Sequence, residues 1–221
     1  MDVSSLYPSL AIANRFYPEH LGEEFIDVYN EGIVKPRLTA KKAGDKVMAD
    51  GFKLSANSVY GKSNSEFSWL YDPLYTLKTT LAGQLSLCML SEKLMINVED
   101  LTMLQINTDG LTVIIPKTEK RKLFDLCTEW EKETGLGLEY VAYDKMVIRD
   151  VNNYISVTNK GKIKRKGAFV TYEQMLDEGS YHKSLSQSIV PEAVEKYFLH
   201  GVPVEDTIMK STNIYEFCKT F

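Results

Sequence analysis

Residues 101–115, LTMLQINTDGLTVII, form an apolar and β-branched segment that the tetrad Asn107-Thr108-Asp109-Gly110 breaks at its centre. Asn, Asp and Gly in such a tetrad are typical of a turn between two strands. We therefore predict a β-hairpin over this segment, with Asp109 at its turn.

The segments on both sides of this hairpin predict an α+β fold. Before it, residues 74–97 carry apolar side chains at helical spacing, and after it residues 117–134 form an amphipathic helical pattern. The apolar positions that define the first helix are Leu81, Leu85, Cys88, Met89 and Met95. Strand-like pieces follow at residues 138–143, 145–148, 153–158 and 162–169, and helices return at residues 181–199 and again from Val204. This order favours an antiparallel or mixed sheet with helices packed on one face.

The N-terminal part of the chain predicts a short strand and then a helical hairpin. Residues 1–10 have the pattern of a strand that leads, around Pro8, into a turn and a helix. From residue 23 to about residue 62 helix formers dominate, with Pro36 near the middle and Gly44-Asp45 as a turn. We expect two antiparallel helices joined at that turn.

Composition places the chain among globular proteins. It has 221 residues, of which 44% are hydrophobic, enough for a packed core. No run of about 18 apolar residues could span a bilayer, and the start lacks the regions of a signal peptide, so a cytoplasmic location without membrane contact is expected. Cys88, Cys127 and Cys218 are far apart and form no C-x-x-C spacing, and we interpret them as reduced core residues.

Charge is distributed unevenly along the chain. The formal net charge of -4 is unusual for a nucleic-acid-binding domain. Residues 35–46 nevertheless hold five basic side chains against one Asp, and residues 160–166 hold five with no acid. Each cluster can bind phosphates through its local electrostatic field. Alternatively, the first cluster is only a solvated helix face and the second only a lysine-rich hairpin.

Two carboxylates, Asp2 and Asp109, lie at the ends of apolar segments beside turns. If both segments are buried strands that lie side by side, an acid at this place needs a cation. A Mg²⁺ ion that bridges the pair could then bind a nucleotide's phosphates. The alternative is that Asp2 caps the following helix and Asp109 only fills the hairpin turn.

The helical hairpin offers ligands for an anion. Lys53, Asn57 and Tyr60 are spaced by four and three residues and so share one helix face, as do Arg37 and Lys41 on the preceding helix. Antiparallel packing could aim both faces into one groove that binds a triphosphate. The alternative is a solvent-facing basic helix that ends at Gly61.

Three segments resemble the sequence motifs of family B DNA polymerases, and they occur in the family's order. DVSSLYPSL, starting at Asp2, is similar to the motif that begins with the first metal-binding Asp. KLSANSVYGK, starting at Lys53, resembles the second motif, and INTDGLTV, around Asp109, resembles the third. RLTAK, from Arg37, lies where the family carries an Arg and a Lys, and GKIKRKG, ending at Gly167, is similar to a strand that contacts the primer duplex.

The resemblance implies a polymerase palm with an inserted two-helix fingers hairpin. Residues 1–20 and 63–180 then correspond to the palm, residues 21–62 to the fingers, and residues 181–221 to the start of the thumb. The short fingers and the final segment are similar to those of phage-type members. The family also carries an exonuclease domain and a complete thumb, which this chain does not contain, so we expect a split product or an excised piece.

The resemblance also implies roles for individual residues. Asp2, Asp109 and the Val3 carbonyl would hold two Mg²⁺ ions, for which Mn²⁺ can substitute. Amides of the following turn would bind the phosphates, and Tyr7 would act as a steric gate against ribose. The residues assigned to the deoxynucleoside triphosphate are Ser5, Leu6, Tyr7, Arg37, Lys41, Lys53, Asn57 and Tyr60. Those assigned to primer–template DNA are Asn107, Thr108, Tyr154, Lys164, Lys166 and Gly167.

Two functions follow as hypotheses. The first is template-directed DNA synthesis by two-metal nucleotidyl transfer. The second is a catalytically inactive DNA-binding or assembly remnant of a polymerase, in which Asn107, in place of the family's usual Asp, and the missing thumb have ended turnover. Gly110 also departs from the family's third motif, which usually carries Ser there.

Overall fold

The computed structural model describes residues 1–177 and 186–219. The chain forms two compact units, Met1–Tyr140 and Val141–Phe221. Both combine helices with short antiparallel strands, so the predicted α+β class is confirmed. The assignment of these parts to palm, fingers and thumb, with the bounds given above, stays a prediction.

Four short strands of the first unit meet around Asp2. They are β1 (Asp2–Val3), β2 (Thr102–Ile106), β3 (Leu111–Ile114) and β4 (Leu138–Glu139). β2 and β3 form the predicted hairpin. β1 pairs with β4 on one side, and on the other side a bridge joins Asp2 to Gly110. The Val3 amide donates to the Asp109 carbonyl at 2.6 Å, so β1 lies between the hairpin and β4.

Six helices complete the described part of this unit. They are α1 (Leu6–Ala13), α2 (Glu24–Tyr29), α3 (Lys35–Ala43), α4 (Lys46–Lys62), α5 (Pro73–Asn97) and α6 (Lys120–Thr134). A π-helical turn, Asn30–Val34, joins α2 to α3 immediately before Pro36, whose nitrogen cannot donate an α-helical hydrogen bond. No helix in the described part of the chain is both long and apolar enough to cross a membrane.

The predicted helical hairpin is present, formed by α3 and α4. Gly44 ends α3 with φ of 77°, and the Asp45 side chain caps α4 by accepting the Met48 amide at 3.1 Å. Left-handed Gly and N-cap Asp are the residues such a tight connection favours. The hairpin packs through the buried Tyr29, whose hydroxyl donates to the Ala56 carbonyl at 2.8 Å.

The longest helix, α5, buries a different face from the one that the apolar spacing emphasises. Its buried positions include Tyr75, Thr79, Gly83, Leu87, Leu90 and Leu94. Leu81, Leu85, Cys88, Met89 and Met95 are instead exposed. The prediction that all three cysteines are core residues is therefore wrong for Cys88 and Cys218, which are exposed, and right for Cys127.

The second unit is built on a three-stranded antiparallel sheet. The strands are β5 (Tyr143–Asp150), β6 (Asn153–Thr158) and β7 (Ile163–Lys166), and the helices are α7 (Tyr172–Asp177), α8 (Ile189–His200) and α9 (Val204–Lys210). Arg165 on β7 forms a two-pronged ion pair with Glu195 on α8. The helix predicted over residues 181–199 is seen from Ile189, and its first residues lie outside the described ones.

Candidate active site

A cavity of about 680 Å³ lies in the first unit, lined by the strand ends around Asp2 and by the α3–α4 hairpin. It collects every residue that the sequence predicts as a metal or nucleotide ligand. These are Asp2, Val3, Ser5, Leu6, Tyr7, Arg37, Lys41, Lys53, Asn57, Tyr60 and Asp109. Thr108, predicted to contact DNA, also lines it. Four segments that are distant in the sequence thus meet at one concave surface.

The two candidate metal ligands lie on β1, which carries Asp2, and in the turn between β2 and β3, which carries Asp109. Asp2 is half-buried and Asp109 is exposed. The prediction that both are buried, and need a cation for that reason, is therefore wrong. Both residues line the cavity, where a cation could reach them. Across the described residues neither carboxylate has a hydrogen bond or an ion pair, whereas Arg37 and Lys41 of the same cavity are both engaged. The pair therefore presents unengaged anionic oxygens to the cavity.

Gly110 allows β1 to lie directly against the turn that carries Asp109. A Cβ atom on Gly110 would collide with Asp2 Oδ1 and would lie 2.5 Å from the Met1 carbonyl oxygen. The Leu111 amide donates to that carbonyl at 2.9 Å, which fixes the strands at this separation. Glycine at position 110 is thus a steric requirement of the strand contact in this chain.

Asn107 supports the hairpin turn. Its side-chain oxygen Oδ1 accepts a hydrogen bond from the Asp109 backbone amide at 3.3 Å. The backbone amide of Asn107 donates to the Gly110 carbonyl at 2.9 Å. Asn and Asp both make such local bonds, and Asn does so without adding a negative charge. Asn at position 107 is therefore compatible with this turn.

The start of α1 provides backbone donors beside the acids. Ser5 precedes the helix in the left-handed conformation, with φ of 53° and ψ of 51°. The amides of Leu6 and Tyr7 lie in the first turn, where an α-helix has no internal acceptor for them. Arg37 reaches across from α3 and donates to the Ser5 hydroxyl. The combination favours an anion at this helix N-terminus.

Two aromatic rings stack inside the cavity. The Tyr7 and Tyr60 rings have centroids 3.9 Å apart and are inclined by 11°. The Tyr60 hydroxyl is hydrogen-bonded to Thr80 Oγ1 at 2.9 Å, which holds its ring in place. Burial, then the neighbouring Tyr60 and Asp109, raise the pKa of Tyr7, so its hydroxyl remains neutral at physiological pH.

Glu139 is a cavity residue that the sequence did not reveal. It lies opposite Asp2 on β4, binds Lys41 Nζ at 2.6 Å and accepts the Ser4 hydroxyl at 2.9 Å. The hydrogen bond from Lys41 is the largest cause that lowers the pKa of this carboxyl. A single Glu in a two-residue strand carries no sequence signal, because only the pairing of β1 with β4 brings it to the cavity.

The cavity is not positively charged overall, although the sequence predicted a basic groove. Its basic side chains all lie on the α3–α4 hairpin, whereas acids occur on the hairpin and on the strands. The basic residues are Arg37, Lys41, Lys46 and Lys53, and the acidic ones are Asp2, Asp45, Asp50, Asp109 and Glu139. The strand side of the cavity is therefore acidic, whereas the hairpin side carries both signs with an excess of cations.

This arrangement occurs on a fold with a known counterpart. The structure is similar to that of the family B DNA polymerase from the hyperthermophilic archaeon Pyrobaculum calidifontis, with a TM-score of 0.57 and 15% sequence identity. The chain shares the fold of the matched part of that polymerase. The match covers 95% of this chain and 30% of the polymerase, so the chain spans about a third of its length. No protein-family profile and no curated protein sequence matches the chain.

At this identity the similarity to the Pyrobaculum polymerase establishes the fold alone. The likeness of the three motifs to family B motifs stays a prediction, as does a phage origin. What the structure adds is independent of that likeness, because it brings the three motif segments to one cavity.

The remaining predicted DNA ligands lie in the second unit. Tyr154 and Lys166 face each other across β6 and β7, with Lys166 Nζ 5.8 Å from the centre of the Tyr154 ring. Tyr154 is only 3% exposed, which leaves little of it for a DNA contact. Gly167 has φ of 62°, and a Cβ there would collide with Asn153. Lys164 is paired with Ser156 in the same sheet. Their predicted contacts with DNA remain predictions.

Proposed function

We propose that the chain carries the active centre of a template-directed DNA polymerase. The reaction is nucleotidyl transfer from a deoxynucleoside triphosphate to the 3′-hydroxyl of a primer. The observation that supports it is the single cavity in which Asp2 and Asp109 face the cationic side chains of the α3–α4 hairpin. This geometry suits a substrate with a polyphosphate at one end and a reacting hydroxyl at the other.

The residues present fit a magnesium site. Asp2, Asp109 and the Val3 carbonyl offer the oxygen ligands that Mg²⁺ prefers. No group of three or more His, Cys, Asp and Glu side chains in the described parts of the chain could hold a metal by itself. Substrate phosphates would therefore complete the coordination, as is common for Mg²⁺. When bound, two such ions neutralise phosphate charge and lower the pKa of the attacking hydroxyl.

Charge balance supports the same assignment. A triphosphate that enters this cavity meets Asp2 and Asp109 as well as the lysines, and like charges at close range repel. Asp2 and Asp109 would hold divalent cations there, and the positive charge of those cations would offset the repulsion. Arg37, Lys41 and Lys53 would bind the outer phosphate oxygens, with Arg37 able to grip two oxygens at once.

Binding of the triphosphate would exchange existing contacts. Arg37 now donates to Ser5, and Lys41 is paired with Glu139. Phosphate oxygens are charged acceptors and form stronger hydrogen bonds than the Ser5 hydroxyl can. The α1 amides would take a phosphate in the place that Arg37 vacates. The Arg37 and Lys41 side chains thus already lie close to the positions proposed for the phosphates.

In the transfer step, the primer hydroxyl oxygen forms a bond to the α-phosphorus while the bond from that phosphorus to the bridging oxygen breaks. Pyrophosphate leaves, and the hydroxyl proton is lost to solvent. The Tyr7 ring, stacked on Tyr60, would lie below the sugar and leave no room for a ribose 2′-hydroxyl.

Primer–template DNA and deoxynucleoside triphosphates are the proposed partners. Exonuclease and thumb segments, either in a longer parent protein or in partner chains, would complete the enzyme. The similar polymerase is about three times as long as the matched region, which supports this proposal.

Primer extension tests the proposal in the parent protein or assembly that contains this chain. We expect Asp2→Asn and Asp109→Asn each to abolish Mg²⁺-dependent extension, a loss of at least about 10³-fold, because each removes a metal-binding charge. Asp125→Asn, which changes an exposed acid on α6, is the matched control and should retain activity.

Extension at wild-type rate by both cavity variants would exclude the proposed active centre. Duplex binding without incorporation by the wild-type assembly, in either Mg²⁺ or Mn²⁺, would instead support the inactive DNA-binding alternative.

A further inference from the structure

The outward face of α5 is apolar along most of the helix. Its exposed positions carry mainly Leu, Met and Ile, and Leu85 and Ile96 are 67% and 74% exposed. The opposite face is packed against the core, so α5 carries apolar side chains on both faces. A row of large exposed apolar side chains along one helix indicates an interface.

One narrow stripe on this face has a symmetric order. Its positions are Leu74, Lys78, Leu81, Leu85, Met89, Glu92 and Ile96. The intervals between them are 4, 3, 4, 4, 3 and 4 residues, which read the same in both directions from Leu85. At about 100° of rotation per residue these side chains fall within roughly 80° of the helix circumference. The stripe is therefore a straight seam centred on Leu85.

The two charges on the stripe are placed with opposite sign and equal offset. Lys78 lies seven residues before Leu85 and Glu92 seven residues after it. Both are exposed, and among the described residues neither forms an ion pair. The neighbouring Lys93 behaves differently, because it is bound to Glu129 and Glu133 of α6.

We propose that α5 is the interface of a homodimer in which two copies of this helix pack antiparallel about a two-fold axis at Leu85. In that arrangement each Lys78 meets Glu92 of the second copy, and Leu85 meets its own counterpart. Leu81 then packs on Met89, and Leu74 on Ile96. A parallel pair would instead place Lys78 on Lys78 and Glu92 on Glu92, which like-charge repulsion disfavours.

The stripe runs along nearly the whole length of α5. With 25 residues, α5 is about 37 Å long, which gives the seam more than three heptads. Leu77, Cys88 and Met95 flank the seam and are also exposed, so they widen the contact. A two-fold interface uses every contact twice, which doubles the effect of a self-complementary stripe. The proposal does not depend on the proposed catalytic function, because it uses no cavity residue.

Sedimentation equilibrium of the 221-residue chain with charge reversals tests the pairing. We expect the wild type to dimerise and Lys78→Glu or Glu92→Lys to weaken dimerisation by at least about tenfold, since each variant creates two like-charge contacts. The double variant exchanges the charges and should recover wild-type dimerisation. Arg121→Glu changes a 95% exposed side chain on α6 and serves as the control.

Leu85→Glu should abolish the dimer, because it places two carboxylates against each other at the axis. Circular dichroism would show that this exposed change leaves the fold intact. A monomeric wild type would overturn the proposal and would mean that another polypeptide covers the stripe. A dimer that survives Leu85→Glu, or a double charge variant that does not recover, would also overturn it.

Disulfide cross-linking tests the direction of the helices, in a background where the exposed Cys88 and Cys218 are replaced by Ser. Leu85→Cys should form a disulfide-linked dimer on mild oxidation, because only this position meets itself. Leu74→Cys alone should not, whereas a mixture of Leu74→Cys and Ile96→Cys chains should cross-link. Efficient self-linking of Leu74→Cys would show a parallel pair and overturn the proposal.

Discussion

Gly110 sets how closely the two candidate metal-binding strands can approach. In Gly110→Ala the new Cβ meets Asp2 Oδ1 and the Met1 carbonyl, and the carbonyl is held by the backbone of β3. We expect the free energy of unfolding to fall by about 1–3 kcal/mol, because the strands must separate. Urea unfolding measures it.

Gly51→Ala on α4 is the matched control, since a Cβ there has open space. In a helix interior the exchange of Gly for Ala should stabilise the protein by about 0.5–1 kcal/mol. Equal stability of the two variants would contradict the steric account of Gly110.

Glu139 makes a pH-dependent contribution through Lys41. The folded state lowers the pKa of Glu139 below its ordinary value of 4.5, with the hydrogen bond from Lys41 as the largest cause. The unfolded chain therefore binds the proton more readily, and the contribution is present above about pH 4.5 and is lost as the pH falls through the lowered pKa. Both side chains are half-exposed, so we expect only about 0–1 kcal/mol at neutral pH.

A double-mutant cycle with Glu139→Gln and Lys41→Gln, measured by chemical unfolding across pH 3 to 7 (roughly the range that the linkage covers), isolates this pair. The coupling energy should be positive at neutral pH and decrease towards the acid end, where Glu139 takes up its proton. Coupling that is constant with pH would show that the contact is not ionic.

A buried hydrogen bond joins the α3–α4 hairpin to α2. Tyr29 is 2% exposed and donates to the Ala56 carbonyl on α4, while burial raises its pKa far above 10. Tyr29→Phe removes this bond and should lower the free energy of unfolding by about 0.5–1.5 kcal/mol. Tyr71→Phe, at a 43% exposed position, should change it little. Thermal unfolding of the two variants gives the comparison, and equal melting temperatures would contradict the role of the bond.

At the level of helices and hairpins the sequence was a good guide where the signal is local. The turn at Gly44-Asp45, the hairpin around Asp109 and the length of α5 follow from capping, turn and periodicity rules that involve only neighbouring residues. The buried face of α5 could not be predicted, because apolar side chains recur at helical spacing on both of its faces. Their spacing alone does not distinguish the face that packs on the core from the face that is exposed. The seam centred on Leu85 became visible only when the structure separated those faces.

At the level of the whole molecule the limits of sequence reasoning come from long-range pairing. Asp2 contacts Gly110 and Glu139 through strands only two to five residues long, which are too short to show a pattern. The spacing of Lys53, Asn57 and Tyr60 did predict a shared face, because one helix fixes it. The net charge of -4 gave no indication of a cavity with an acidic strand side and an excess of cations on its hairpin side.

The π-helical turn at Asn30–Val34 sets the rotational phase of everything that follows it in the hairpin. Such a turn holds one residue more than an α-helical turn, so it rotates α3 by about 100° relative to an uninterrupted helix. In that phase Arg37 and Lys41 reach the cavity, where they bind Ser5 and Glu139. Loss of a single residue from this turn would leave the other cavity residues unchanged and turn these cations away, so the geometry of the cavity depends on the number of residues in a segment that does not line it.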